Sequence, residues 1–211
     1  IMDKFPGLRQ VLTPSGPALE LLTSPRQAAD LARLYNDELA QLVVKYPDRF
    51  VAAVAYLPLS DVDAALVECK RAVEELGLKG VFLHTPVYED SATITKPIDI
   101  PELMPLYEMM ATYDLPIWLH PRRASSVPEY TTETRSKYVV HQMFGWPFET
   151  TVAMARLVYS GIFDRWPNLK VIAHHCGAMV PYLSDRIITQ CEWYEKALGA
   201  KFLKKLQNPP I

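Results

Sequence analysis

The chain has 211 residues, 49% hydrophobic and 22% charged, with a formal net charge of −2 at pH 7. That composition fits a globular protein with a real core, and the absence of a basic block or stripe excludes nucleic acid as the main partner, because phosphate binding needs clustered Lys and Arg. No apolar run reaches the roughly 18–20 residues of a membrane span, no signal-peptide pattern opens the chain, and the 3 cysteines, Cys69, Cys176 and Cys191, form no CxxC, so a reducing cytoplasm is the expected setting.

In chain order, "LRQVLTPS" (Leu8–Ser15) reads as a strand. Ser24 as N-cap and Pro25 at the first helical position then open a helix, with Leu31, Leu34, Tyr35, Leu39, Leu42 and Val43 at helical spacing. "RFVAAVAYLP" is the second strand; Asp61 caps a helix that ends at Gly77. "LKGVFLHTP" is the third strand, followed by a loop to Ile100 and a helix from Pro101 to near Tyr113. "LPIWLHP" is the fourth, and a long segment from Arg122 to Gly145 leads into the helix "PFETTVAMARLVYSG". "LKVIAHH" is the fifth, and "VPYLSDRIITQCEWYEKALG" is the closing helix.

Near-continuous apolar strands alternating with helices predict an α/β fold with a parallel sheet. The closure is either an open doubly wound sheet or a (β/α)8 barrel. No GxGxxG follows the first strand, which argues against a dinucleotide-binding domain. A complete barrel takes about 250 residues, so about five repeats amount to a barrel lacking about three strands.

In parallel α/β folds, sites form at the strands' C-terminal ends. Three strands here end in histidine: His84, His120 and the pair His174–His175; the remaining histidine, His141, lies in the long segment after the fourth strand. A solitary histidine at a strand end is more often a hydrogen-bonded structural residue, but three gathered at one end of a sheet favour a site. Cys176 reads as a turn residue, with no second cysteine near it to make a metal site.

"LPIWLHP", "YSGIFDRWPNLKVIAHHCGAMVPYLSDRI" and "RFVAAVAYLPLSDVDAALVECKRAVEELGLKGV", in that combination, resemble the amidohydrolase-related family, in its branch of decarboxylases. The resemblance implies a TIM barrel of metal-dependent hydrolase type with one divalent metal, zinc first and manganese second. It implies that His120, in its "LHP" setting, is a metal ligand, and that His175, in an "HxG" setting, sits beside the metal and handles a proton or water. Arg186, about three helical turns beyond His175, matches an arginine that reaches a substrate carboxylate, sometimes across a dimer interface. A homodimer or homotetramer is expected.

The family's HxH pair and its final Asp, in a "GSD" or "GTD" setting, are both absent; they belong ahead of Ile1 and beyond Ile211. Residues 1–211 therefore read as a single, incomplete barrel domain, which by itself should not hold the metal tightly. The expected function is metal-dependent decarboxylation of a small carboxylated aromatic or muconate-type substrate. The alternatives are hydrolysis of a lactone, amide or related bond, or an inactive barrel fragment. Arg122 and Arg186 are candidate carboxylate clamps, since guanidinium pairs with carboxylate through two parallel bonds, although either also reads as a solvated surface arginine. His84, His141 and Trp146 are candidate pocket residues, Trp146 reading more readily as core packing against the following helix.

Side chains alternate along a strand. In "LKVIAHH" one face carries Leu169, Val171, Ala173 and His175, and the other Lys170, Ile172 and His174. A lysine suits a barrel interior poorly, so His175 is expected to point inward and His174 away.

Overall fold

A computed structural model of the chain describes residues 2–88 and 95–198. Its strands are β1 (Gln10–Leu12), β2 (Phe50–Ala53), β3 (Ala55–Tyr56), β4 (Val81–Thr85), β5 (Val87–Tyr88), β6 (Thr95–Lys96), β7 (Pro116–Pro121) and β8 (Lys170–Ala173). Its helices are α1 (Pro25–Lys45), α2 (Val62–Glu74), α3 (Met104–Tyr113), α4 (Trp146–Tyr159), the short α5 (Ile162–Arg165) and α6 (Val180–Leu198).

The β1 strand pairs parallel with β2, and β3, β4, β7 and β8 form a parallel sheet in that order. The β2 and β3 strands are two halves of one strand, interrupted at Val54. The Val54 N–H donates to the Leu12 carbonyl at 2.9 Å, while the Ala55 N–H donates to the Gly80 carbonyl at 2.9 Å on the other side. The wall therefore runs β1, β2–β3, β4, β7, β8 in chain order, without the reversal that marks a doubly wound sheet. With right-handed crossovers, an unreversed order places the helices on one side of the sheet. This is a wall of the (β/α)8 barrel, five strands wide.

Alternation along each strand sorts the side chains. Val81, Leu83, Ile117 and Leu119 pack in the large core with Ala65 and Cys69 of α2, Leu106 and Met110 of α3, and Ala153 and Leu157 of α4. The opposite, inner face carries a smaller cluster in which Tyr56 and Phe82 pack with Leu19, and Trp118 packs against it.

The expected start and stop signals act as their chemistry dictates. The Asp61 carboxylate accepts the Ala64 N–H at 3.0 Å, and Gly77, just past α2, adopts φ +70°, where only glycine sits without strain. Ser24 precedes α1, but its hydroxyl donates to the Gln27 side chain at 3.0 Å instead of capping the backbone. Three boundaries depart from expectation. The first strand is only Gln10–Leu12, since Pro14 has no N–H for a ladder. The stretch expected as a loop after β4 contains the antiparallel pair β5–β6, its connection at 89–94 lying outside the described residues. The last strand ends at Ala173, before the two histidines.

The edge of β3 is closed by a side chain. Asn36 of α1, fully buried, donates to the Tyr56 carbonyl at 3.0 Å and accepts the Tyr56 N–H at 2.8 Å. It also donates to Glu68 at 2.7 Å, and Glu68 accepts two bonds from Arg71, at 2.9 and 2.8 Å. Arg71 in turn donates to Asp37 at 2.7 Å. Partly satisfied buried networks are costly, so Asn36→Leu, which strands both Tyr56 backbone groups, is expected to lower unfolding free energy by about 2–4 kcal/mol. Urea denaturation measures this; a loss under about 1 kcal/mol would mean that water reaches the β3 edge instead.

Candidate active site

The strands deliver the histidines to one level. In the β4–β7 register His84 sits opposite His120, and in β7–β8 Leu119 sits opposite Ala173. The rings then meet around Phe82. His84 and His120 have centroids 5.8 Å apart, His120 and His174 5.0 Å, and His120 and His175 5.1 Å. Phe82 lies 4.9 Å from His84 and stacks on His120 at 5.7 Å.

Both adjacent histidines face this centre, which corrects the expectation for His174. Its ring touches Phe82, Trp118 and His120, so the Lys170–Ile172–His174 face is the inner one. Lys170 fits there because it stands at the opposite end of the strand, where its ammonium pairs with Asp114 at 2.8 Å. His175 arrives by a different route. The chain leaves β8 at Ala173, and His175 and Cys176 both take φ near +57°, followed by Gly177 and Ala178 also at positive φ. This left-handed run turns the exposed His175 ring back, bringing its Nε2 to 3.3 Å from His120 Nε2. Non-glycine residues adopt this region at a cost of order 1–3 kcal/mol each, and such strain gathers at functional sites. Cys176 is an exposed turn residue, as expected.

Burial keeps the inner imidazoles neutral. His84, only 3% exposed, has its pKa lowered to about 3 by desolvation, with His120, Arg122 and His174 adding repulsion. His120 is lowered to about 4 by desolvation and then by His174 and His175. His174 is lowered too, by burial first and then by His175. Several buried nitrogens have no partner among the described residues: both of His84, Nε2 of His174, Nε1 of Trp118 and of Trp146, and Nε of Arg122. Unmet polar atoms of this kind cost about 1–3 kcal/mol each unless a ligand or water meets them.

The remaining expected residues divide. Trp146 belongs to the centre, its ring 5.5 Å from His120 and 5.8 Å from His175. Arg122 leaves β7 in phase with Trp118 and His120 and bears electrostatically on His84 and His120. His141 begins a single π-helical turn (His141–Gly145), its Nδ1 buried without a partner, and takes no part in the described ring contacts. Arg186 is exposed on α6. Three neighbours were not anticipated: Phe82, Trp118 and Glu20. The first two were legible, because period-two alternation places Phe82 with His84 and Trp118 with His120. Nothing local in the sequence marks Glu20, whose carboxylate is buried, accepts the Leu59 N–H at 2.8 Å and has its pKa raised by desolvation.

The donors suit a divalent metal in kind. Neutral imidazole is the ligand form, and nitrogens 3.3 Å apart have about the spacing of adjacent ligands on a tetrahedral ion with ~2.0–2.1 Å bonds. The same spacing suits a shared proton. In number the donors fall short: no group of three or more His, Cys, Asp or Glu among the described residues is arranged to hold an ion. The described residues by themselves therefore do not make up a complete ligand set.

The depressed His84 pKa has a consequence for stability. Below the ordinary value of 6.5 the unfolded chain binds a proton that the folded chain refuses until about pH 3. Stability is therefore full above about pH 6.5 and falls as pH drops, by up to about 1.4 kcal/mol per pH unit for this group. In the metal-free protein, His84→Phe is expected to flatten that slope between pH 6 and 4. Denaturant unfolding across this range measures it, and parallel slopes for the two proteins would contradict the assignment.

Comparison with known proteins agrees with this architecture. The amidohydrolase family model matches residues 11–201. The γ-resorcylate decarboxylase of Rhizobium sp. (strain MTP-10005) is 32% identical over 193 residues, covering 92% of this chain and 58% of the relative. Among solved structures, 2,6-dihydroxybenzoate decarboxylase from Rhizobium superposes with TM-score 0.81 at 33% identity, covering 91% of this chain and 59% of that one. A dihydroxybenzoic acid decarboxylase from Polaromonas sp. JS666, solved with bound manganese and the inhibitor 2-nitroresorcinol, gives TM-score 0.78 at 30% identity, covering 91% and 57%. The chain thus spans less than two thirds of the length of these relatives, and it belongs to the amidohydrolase family.

Proposed function

We propose that the protein carrying this chain is a divalent-metal-dependent decarboxylase of a small carboxylated aromatic acid. The observation that carries the reading is the meeting of His120 and His175, Nε2 to Nε2 at 3.3 Å, at the common C-terminal end of adjacent strands. Around them stand buried donors with no partner among the described residues, an environment suited to an anion. The similar proteins include γ-resorcylate and 2,6-dihydroxybenzoate decarboxylases, and the manganese in the Polaromonas enzyme makes manganese as good a candidate as zinc.

In this reading His120 helps hold the metal, with the other ligands supplied outside the described residues. Such a metal, when bound, would supply Lewis-acid polarisation of a substrate oxygen. Arg122 pairs with the carboxylate, and Trp146 provides a flat wall for the ring with an N–H at its edge. His175, exposed and mounted on the strained turn, transfers a proton to the ring carbon that bears the carboxylate. The carbon–carboxylate bond then breaks, its electron pair returns to the ring, and CO₂ leaves. The balance is one carboxylate and one proton in, one C–H bond and CO₂ out, with His175 reprotonated from solvent. His84 and His141 line the surroundings, and the exposed Arg186 suits a role at a subunit interface of a homodimer or homotetramer.

CO₂ release from a panel of hydroxybenzoates and carboxymuconate analogues tests the activity. Hydrolysis of lactones with no CO₂ from any acid would overturn it in favour of the hydrolase alternative. His175→Asn is expected to lower kcat by about 10²–10⁴-fold with metal content unchanged. His120→Ala is expected to lower metal content itself, read by elemental analysis after dialysis; unchanged metal in that variant would remove His120 from the ligand set.

A further inference from the structure

Arg122 is held by its backbone, while its guanidinium makes no ion pair among the described residues. Its N–H donates to the Thr85 carbonyl at 2.7 Å, and its own carbonyl accepts the hydroxyl of buried Tyr88 at 3.0 Å. Both anchors lie beside β4, so the root of the side chain is clamped to the neighbouring strand. The guanidinium, by contrast, has no ion pair among the described residues, and its buried Nε has no partner. The nearby Glu20 carboxylate, which accepts the Leu59 N–H at 2.8 Å, attracts Arg122 through space but forms no ion pair with it among the described residues.

What the guanidinium rests on is Gly16. A Cβ built on Gly16 would stand 2.6 Å from Arg122 Nη1, with the next atom, Cζ, at 3.9 Å. Gly16 does not take a positive φ, so its backbone does not demand glycine; the space does. Gly16 lies in the segment after β1 and Arg122 follows β7, so the contact spans the wall above β3 and β4, over Tyr56 and His84.

We propose that Gly16 is a positioning residue: by having no side chain it sets the posture in which Arg122 takes the substrate carboxylate. This rests on the decarboxylase reading and deepens it. The atom that a new Cβ would strike is the far end of a flexible side chain, so alanine at 16 moves the guanidinium at little cost to the fold. The bidentate geometry of a guanidinium–carboxylate pair makes a displacement of that size matter.

The test compares Gly16→Ala and Arg122→Lys with the unmodified protein, using 2,6-dihydroxybenzoate as the acid and 1,3-dihydroxybenzene as the ligand without a carboxylate. For Gly16→Ala the thermal midpoint is expected to stay in place and KM for the acid to rise about tenfold. Its kcat should change much less, and its affinity for 1,3-dihydroxybenzene should hold. Arg122→Lys should raise KM similarly, and the double variant should add little to either, as for residues acting through one contact. An unchanged KM in Gly16→Ala with a raised KM in Arg122→Lys overturns the seat while sparing Arg122. Equal weakening for acid and diol overturns it too, since a general distortion would then be at work. If the unmodified protein decarboxylates nothing, the functional reading fails on its own; acid binding, followed by tryptophan fluorescence in the same variants, still decides the seat.

Discussion

The parallel register of β4, β7 and β8 is the constraint on which the site depends. Evenly slanted parallel hydrogen bonds set neighbouring strands side by side in the same direction, so strands that begin together also end together. Val81 pairs with Ile117 and Thr85 with Pro121, and the next ladder runs from Pro116–Lys170 to Leu119–Ala173. Residues far apart in the chain therefore reach one level at one end. A slip of one residue in β7 would exchange His120 for Leu119 on the inner face, leaving an apolar side chain where the donors now converge. The ladder is defended from outside by Val81, Leu83, Ile117 and Leu119, all packed against helices. The core thus defends the geometry of the histidine cluster from the opposite face of the sheet.

The turn after β8 works in the opposite sense, departing from regularity. A strand continued through His175 would send His174 inward and His175 outward. Four consecutive residues from His175 to Ala178 at positive φ let both rings face His120. Only one of the four is a glycine, so local preference opposes the turn and tertiary contacts must impose it. Part of that support comes from α4, whose Thr151 hydroxyl accepts the Met179 N–H at 3.1 Å. The same helix carries Trp146 against both His120 and His175, so one element fixes the turn and the wall of the site together.

Electrostatics divides the molecule into two kinds of buried polar region. Around Asn36, Glu68 and Arg71 each charge or amide is met by a partner, and the network closes the β3 edge against α1 and α2. Around Phe82 several buried nitrogens, among them both of His84, have no partner among the described residues. A protein gains nothing in stability from the second arrangement; desolvation first, and then repulsion from neighbouring imidazoles and Arg122, hold His84 and His120 uncharged at neutral pH. That contrast separates a structural polar network from a cluster suited to taking a ligand more clearly than the count of histidines does.

Much of this was readable along the chain because it is local. Strand–helix alternation, the Asp61 cap, the Gly77 stop and the histidines at strand ends all follow from periodicity and backbone preference over a few residues. Alternation also carries the pairing of Phe82 with His84 and of Trp118 with His120. The choice between barrel and doubly wound sheet was open to periodicity, because both closures are built from the same β/α unit and only strand order in space tells them apart. The inward face of β8 was misjudged for a related reason: a lysine excludes a barrel interior at mid-depth but not at the rim, and depth is not a property of sequence. The seat of Arg122 on Gly16 and the burial of Glu20 join segments on different strands. They exist only once the wall is assembled, because the packing that makes them comes from distant parts of the chain.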